Sequence, residues 1–115
     1  MAKKRRKAPR PSKAVPATPY EIILAPDAVT DLDRLRAYDR RQVCDALEQY
    51  LRHQPTQVSK ARIKRLRGLS KPQYRLRVGD DIRVMYDVHE NRVEVLAILS
   101  KQDVEEWLAE KGVVE

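Results

Sequence analysis

QYRLRVGDDIRVMYDV, residues 73–88, reads as two strands joined by a turn. Tyr74, Leu76 and Val78 alternate with Arg75 and Arg77. After Gly79-Asp80-Asp81, Ile82, Val84, Tyr86 and Val88 alternate with Arg83, Met85 and Asp87. Side chains alternate across a strand, so each strand has one apolar face, and both apolar faces point the same way across a tight hairpin. The other face carries arginine. Like charges opposite one another destabilise a strand pair, so an anionic ligand is the simplest reason for Arg75, Arg77 and Arg83 to share what is expected to be an open face.

Working outward, Arg92 to Leu99 is expected to form a third strand after the turn His89-Glu90-Asn91. Upstream, YEIIL at 20–24 is a short strand, and Pro26 suits the first turn of a helix. Val29, Leu32 and Leu35 recur at helical spacing. A second helix is expected from near Asp39, where Asp39 and Gln42 resemble a capping box, to about His53, with Val43, Leu47, Tyr50 and Leu51 on its apolar side. A very short connection near Ala37-Tyr38 makes the two an αα-hairpin. Residues 54–72 read as a connector, and a last helix runs from Asp103 to about Lys111, stopped by Gly112. The order is β-α-α-β-β-β-α: an α+β domain with a small, largely antiparallel sheet and the αα-hairpin packed on one face.

The chain has 115 residues, enough for one modest core, which Leu, Ile, Val, Ala and Tyr must build because Phe is absent. The net charge of +7 is concentrated at the start, where residues 1–13 hold seven basic and no acidic residues, so that the remainder is formally neutral. Residues 1–18, rich in Lys, Arg and Pro, are expected to form a disordered basic arm ahead of the domain at 19–115. The arm is either a solubilising tail or a sequence-independent contact with nucleic-acid phosphates. The longest apolar run, Val95 to Leu99, is five residues, too short to span a bilayer. No secretory leader is expected. The single cysteine, Cys44, excludes an internal disulfide and fits a reducing cytoplasm; within its helix it reads as half-buried packing.

From Thr56 to Gly79 there are eight basic residues (Lys60, Arg62, Lys64, Arg65, Arg67, Lys71, Arg75 and Arg77) and no Asp or Glu. Arg is favoured where a guanidinium fork meets phosphate, so this stretch reads as a phosphate-binding surface. The competing reading is a solvated basic loop whose arginines pair with Asp87, Glu94 or a partner protein. Little else suggests catalysis. His53 and His89 read as surface residues, the carboxylates form no convincing pair, and no Gly-rich phosphate loop exists. No metal or cofactor is expected. Trp107 either anchors the last helix or offers a stacking platform for a base.

Three segments, YEIILAPDAVTDLDRL, KRLRGLSKPQYRLRVGDDIRVMYDV and VEVLAILSK, together resemble the RelE/ParE superfamily of bacterial type II toxins over about residues 20–110. The resemblance implies a cognate antitoxin as partner, and with it a toxin–antitoxin hetero-oligomer. In the RelE-like branch it implies a ribosome-dependent mRNA endonuclease that inhibits translation. The 2′-OH attacks the adjacent phosphate without a metal, leaving a 2′,3′-cyclic phosphate. By position, Arg75 and Arg77 match the two basic residues of the central strand and Arg83 the arginine before V-x-Y. Lys101 stands where the family has arginine, and Trp107 where it commonly has tyrosine. The resemblance then gives Arg77 and Arg83 to the transition-state phosphate oxygens, Arg75 to positioning and Lys101 to the leaving group or a non-bridging oxygen, while the basic stretch read above, Lys60, Arg62, Lys64, Arg65, Arg67 and Lys71, would bind the RNA. Tryptophan keeps stacking but lacks the hydroxyl, and lysine lacks the fork. Two alternatives stay open: a ParE-like inhibitor of DNA gyrase without catalysis, and a degenerate member that only binds its antitoxin or RNA.

Overall fold

The computed structural model describes residues 18–115, so the arm expected over 1–18 lies outside the described residues apart from Thr18. Strand β1 (Glu21–Leu24) leads into α1 (Pro26–Arg34) and α2 (Ala37–Ala46), which continues into a π-helical turn, Leu47–Leu51. Then follow β2 (Ile63–Arg65), β3 (Leu69–Lys71), β4 (Tyr74–Val78), β5 (Ile82–His89) and β6 (Arg92–Ser100). A short 3-10 turn, Lys101–Asp103, precedes α3 (Val104–Lys111) and β7 (Val113–Val114).

The hairpin read from residues 73–88 is present, with β4 on the expected residues and Gly79 at φ +62° supplying the turn conformation that a side chain would resist. The main sheet has five strands in the order β1-β6-β5-β4-β2, antiparallel except for β1 against β6. One face carries the core: Leu76, Val78, Val84, Tyr86, Val93, Val95 and Ile98 pack with Ala28, Val43, Leu47 and Leu51 of the helical layer. Period-two alternation would turn Ile98 away from Val93 and Val95. Register resolves this, because Met85 pairs with Ala97 and Tyr86 with Val95, leaving Leu96 as a bulge. Past the end of β1, the Ile98 N–H donates to the Asp31 carboxylate of α1 at 3.0 Å, so the uncovered sheet edge stays satisfied.

Tyr86 is the largest fully buried side chain. Its ring stacks on Tyr74 at 5.5 Å, and its hydroxyl donates to the Pro55 carbonyl at 2.6 Å. Burial pushes the hydroxyl pKa up, so it remains a donor. Tyr86→Phe strands the Pro55 acceptor in the interior. The variant is expected to lose about 1–3 kcal/mol of stability in urea unfolding, the usual consequence of orphaning a buried group.

Several expectations need correction. The second helix begins at Ala37 with Arg36 as its uncapped N-terminal residue; Asp39 serves an exposed ion pair with Arg36 rather than a capping box. The connection is therefore Leu35-Arg36. The connector 54–72 contains β2 and β3, each only three residues long, with two basic residues in β2 and one in β3. Cys44 is exposed rather than half-buried, because Val43 and Ala46 take the core-facing positions of α2.

The largest correction concerns the second face of the sheet, which is not open. Met85 and Ala97 are fully buried there, Asp87 is 2% exposed and Arg83 7%. The C-terminal chain crosses from one end of the sheet toward the other. It leaves the sheet at Ser100, which pairs with Ile82 at one end of β5. After α3 it reaches β7, whose Val113 and Val114 pair with Lys71 and Leu69 of β3, just ahead of the other end of β4. The segment between, with the eight-residue α3, is thus tied at both ends, by the Lys101 N–H to the Asp81 carbonyl and by β7 to β3.

Candidate phosphate-binding face

Four basic residues share this face through strand register. Lys64 of β2 lies directly opposite Arg75 of β4, and Arg77 of β4 directly opposite Arg83 of β5. Lys101 joins at the same end as Arg83: its backbone N–H donates to the Asp81 carbonyl at 2.6 Å in the hairpin turn, and its side chain is exposed. Trp107 is half-buried on α3.

The three arginines are in different states. Among the described residues, the buried Nε–H of Arg75 has no hydrogen-bond acceptor. Its pKa is lowered, first by burial and then by the charges of Arg83 and Arg77. Arg83 is lowered by burial and by Arg77, with Asp81 and Asp80 opposing, and its Nη1–H donates to the carbonyl of Ile82 at 3.0 Å. Arg77 turns toward the hairpin, donating to the Gly79 carbonyl and the Asp80 carboxylate, both at 3.0 Å. Arg77–Asp80 is a surface pair, worth at most about 1 kcal/mol, so an incoming anion can replace it. An unpartnered Nε–H beside like charges is unfavourable without an anion. A phosphate seated between Arg75 and Arg83 would relieve both terms.

The connector residues divide. Arg62 lies over the Tyr50 ring at 5.4 Å. Arg65 lies over Tyr74 at 5.3 Å and donates to the carbonyls of Leu66 and Gln73. Both arginines thus have structural partners on the helix side of the sheet. Lys60 and Arg67 are exposed in loops, and Lys71 is exposed on β3. Of the six connector positions, Lys64 is the one that register places against the arginine strand. No local pattern carried that signal, because a three-residue strand with Ile63 as its one apolar residue is too short to show alternation.

Sequence reading also missed a constellation at the far end of the same face. Asp87 and Glu94 are cross-strand partners, and with His89 their ligand atoms all lie within 4.8 Å of one another. Sequence distance hid the pair. Burial raises the Asp87 pKa, opposed by the Gln73 N–H that donates to it at 2.7 Å. Because the folded state holds its proton more tightly than the unfolded chain, the Asp87 contribution is full below its ordinary value of 3.8 and is lost as pH rises through the raised value. Asp87→Asn is therefore expected to flatten the decline of stability over that acidic window, as read from urea midpoints collected against pH.

Residues 22–105 match the family described as the ParE toxin of the type II toxin–antitoxin system parDE. No curated protein shows significant sequence similarity to the chain. Among solved structures, the fold is similar to that in the archaeal RelE–RelB complex from Pyrococcus horikoshii OT3, with TM-score 0.58 and 24% identity over 71% of this chain and 94% of that one. It is similar also to the toxin–antitoxin complex RelBE2 from Mycobacterium tuberculosis, with TM-score 0.59 and 22% identity over 77% of this chain and 99% of that one. The RelB–RelE complex from Methanococcus jannaschii gives 0.58 and 20% over 74% and 96%. Among the described residues, no helix is long and apolar enough to cross a membrane.

Proposed function

The chain belongs to the ParE toxin family of type II toxin–antitoxin systems, within the RelE/ParE superfamily, and from that premise we propose that it is a ribosome-dependent mRNA endonuclease held in check by a cognate antitoxin. The observation that supports this most is the Arg75–Arg83 pair: two guanidiniums with lowered pKa values on one face, one with a buried, unpartnered N–H.

In the proposed step the 2′-oxygen of the RNA bonds to the adjacent phosphorus as the P–O5′ bond breaks. The 2′-proton leaves to water and the 5′-oxygen takes up a proton. Negative charge accumulates on the non-bridging oxygens, where fixed donors act most strongly. Arg83 and Arg77 supply these donors, and Arg75 with Lys64 positions the phosphate. Lys101, at the Arg83 end, stands near the departing oxygen, and Trp107 stacks on a base. Arginine stays protonated even when its pKa falls, so the arginines act as electrostatic groups rather than as the base. Arg83 must become more accessible for this to happen, because it is only 7% exposed.

That same burial favours a second reading, a gyrase-directed toxin without RNA chemistry. The test is to add purified protein to a cell-free translation system and map mRNA ends by primer extension. Cuts in the ribosomal A site that vanish without ribosomes are the expected result. Intact mRNA together with gyrase-dependent DNA cleavage would establish the second reading instead.

A further inference from the structure

A groove lies on the helix side of the β2 edge, away from the arginine face. It consists of three adjoining cavities of about 300, 220 and 210 Å³. All three are lined by Arg62. The largest shares Gln49 and Tyr50 with the second and Arg77 with the third, so the three form one continuous trough. Its helical wall is the C-terminal part of α2 and the π turn, with Gln42 and Asp45 preceding Gln49 and Tyr50. The π turn keeps Leu47 and Leu51 in the core while Gln49 and Tyr50 line the trough. Such turns recur at functional sites.

We propose that this trough is a nucleobase subsite for the RNA strand whose phosphate occupies the arginine face, and that it selects a base carrying an exocyclic amino group. The proposal rests on the endonuclease reading. Three features support it. First, the wall is mixed rather than cationic. Gln42 and Gln49 can each donate and accept, whereas Asp45 only accepts. A carboxylate repels phosphate but pairs with an amino group on a base edge, as carboxylates do with cytosine. Second, Arg62 already lies over Tyr50 at 5.4 Å. The free face of its guanidinium is a platform on which an unstacked base can lie, a common mode for single-stranded RNA. Third, the trough joins the arginine strand directly: the Arg77 N–H donates to the Arg62 carbonyl at 2.8 Å, and Arg77 belongs both to the trough and to the cross-strand pair with Arg83. A helical peptide would need a row of apolar anchors here, and the largest cavity offers little beyond Ala46, Val78 and the Tyr50 ring.

The test uses the full chain, with side-chain amide resonances of Gln42 and Gln49 followed during titration with short oligoadenylate and, separately, oligouridylate. Oligoadenylate is expected to shift both amides and to bind roughly tenfold more tightly than oligouridylate, the discrimination typical of one good base contact. In Asp45→Asn, which changes an exposed side chain and whose fold circular dichroism checks, that preference should collapse toward unity. Equal response to both oligomers, an unchanged preference in Asp45→Asn, or shifts produced only by an antitoxin peptide would each overturn the proposal. The two readings separate cleanly. Base-selective shifts without mRNA cutting would remove the endonuclease and leave the subsite. Cutting whose flanking-base preference ignores Asp45→Asn would do the reverse.

Discussion

Arg83→Ala is expected to lower ribosome-dependent mRNA cutting by roughly 10²–10³-fold, the usual loss when one pre-placed donor to a developing oxyanion is removed. The expectation follows from where Arg83 sits. It is 7% exposed, opposite Arg77 on the neighbouring strand, and the only hydrogen bond of its side chain, among the described residues, is to the carbonyl of Ile82 beside it. Its environment is therefore dry enough for a charge to act strongly, and no carboxylate ion pair would have to be broken. The test compares cut-site yield in translation extracts for the parent and Arg83→Ala, with Arg83→Lys as the control that keeps charge and loses the fork. Cutting by Arg83→Ala within a few-fold of the parent would remove Arg83 from the reaction. Loss of the folded state would be visible separately in the unfolding curve. Because Arg83 pairs with no acid, its removal leaves no orphaned carboxylate, and the fold is expected to persist.

The hairpin was legible because each of its strands alternates over enough residues for the period to show. Tyr74, Leu76 and Val78 face the core as alternation requires, and Gly79 marks the turn. The helical hairpin was legible for the same reason, although its junction was misplaced by two residues; Asp39 could serve a cap or a surface pair, and it serves the pair with Arg36. The strands β2 and β3 were not legible. A segment such as Ile63-Lys64-Arg65 has one apolar residue, and three residues cannot display a period of two. β3 gains its partner from Val113 and Val114, over forty residues away. Contacts of that range depend on the folded whole rather than on any local pattern.

The same limit explains the error about the arginine face. Alternation specifies which side chains share a face and is silent on what covers it. Asp87 and Glu94 illustrate the point, being seven residues apart in sequence and directly opposite in the sheet. Arg75, Arg77 and Arg83 do share a face by strand register, yet of the three only Arg83 is buried there, and burial depends on contacts that alternation does not carry. Sequence reading also treated Arg62 and Arg65 as equivalent to Lys64. The structure separates them, since aromatic rings hold the two arginines on the helix side while Lys64 stands against Arg75.

Arg75→Met should make the protein more stable and less active at once. Burial, the charges of Arg83 and Arg77, and an unacceptored Nε–H all disfavour the native arginine. Methionine has comparable length, fills irregular space and has no donor to satisfy. Removing an orphaned buried donor returns about 1–3 kcal/mol, and loss of the arginine's own aliphatic packing is small because methionine replaces it. A gain of about 1 kcal/mol raises the thermal midpoint of a domain this size by several degrees. Cutting should meanwhile fall by at least roughly tenfold, since a charged hydrogen bond to phosphate contributes about 1.5–3 kcal/mol. The opposite signs are what make this variant informative. If Arg75 were a structural residue, Arg75→Met would lower the midpoint, and any loss of cutting would track the loss of fold. A higher midpoint with weaker cutting can arise only if the native arginine is held in an unfavourable environment for something other than stability, and an anion seated between Arg75 and Arg83 is the ligand that environment fits.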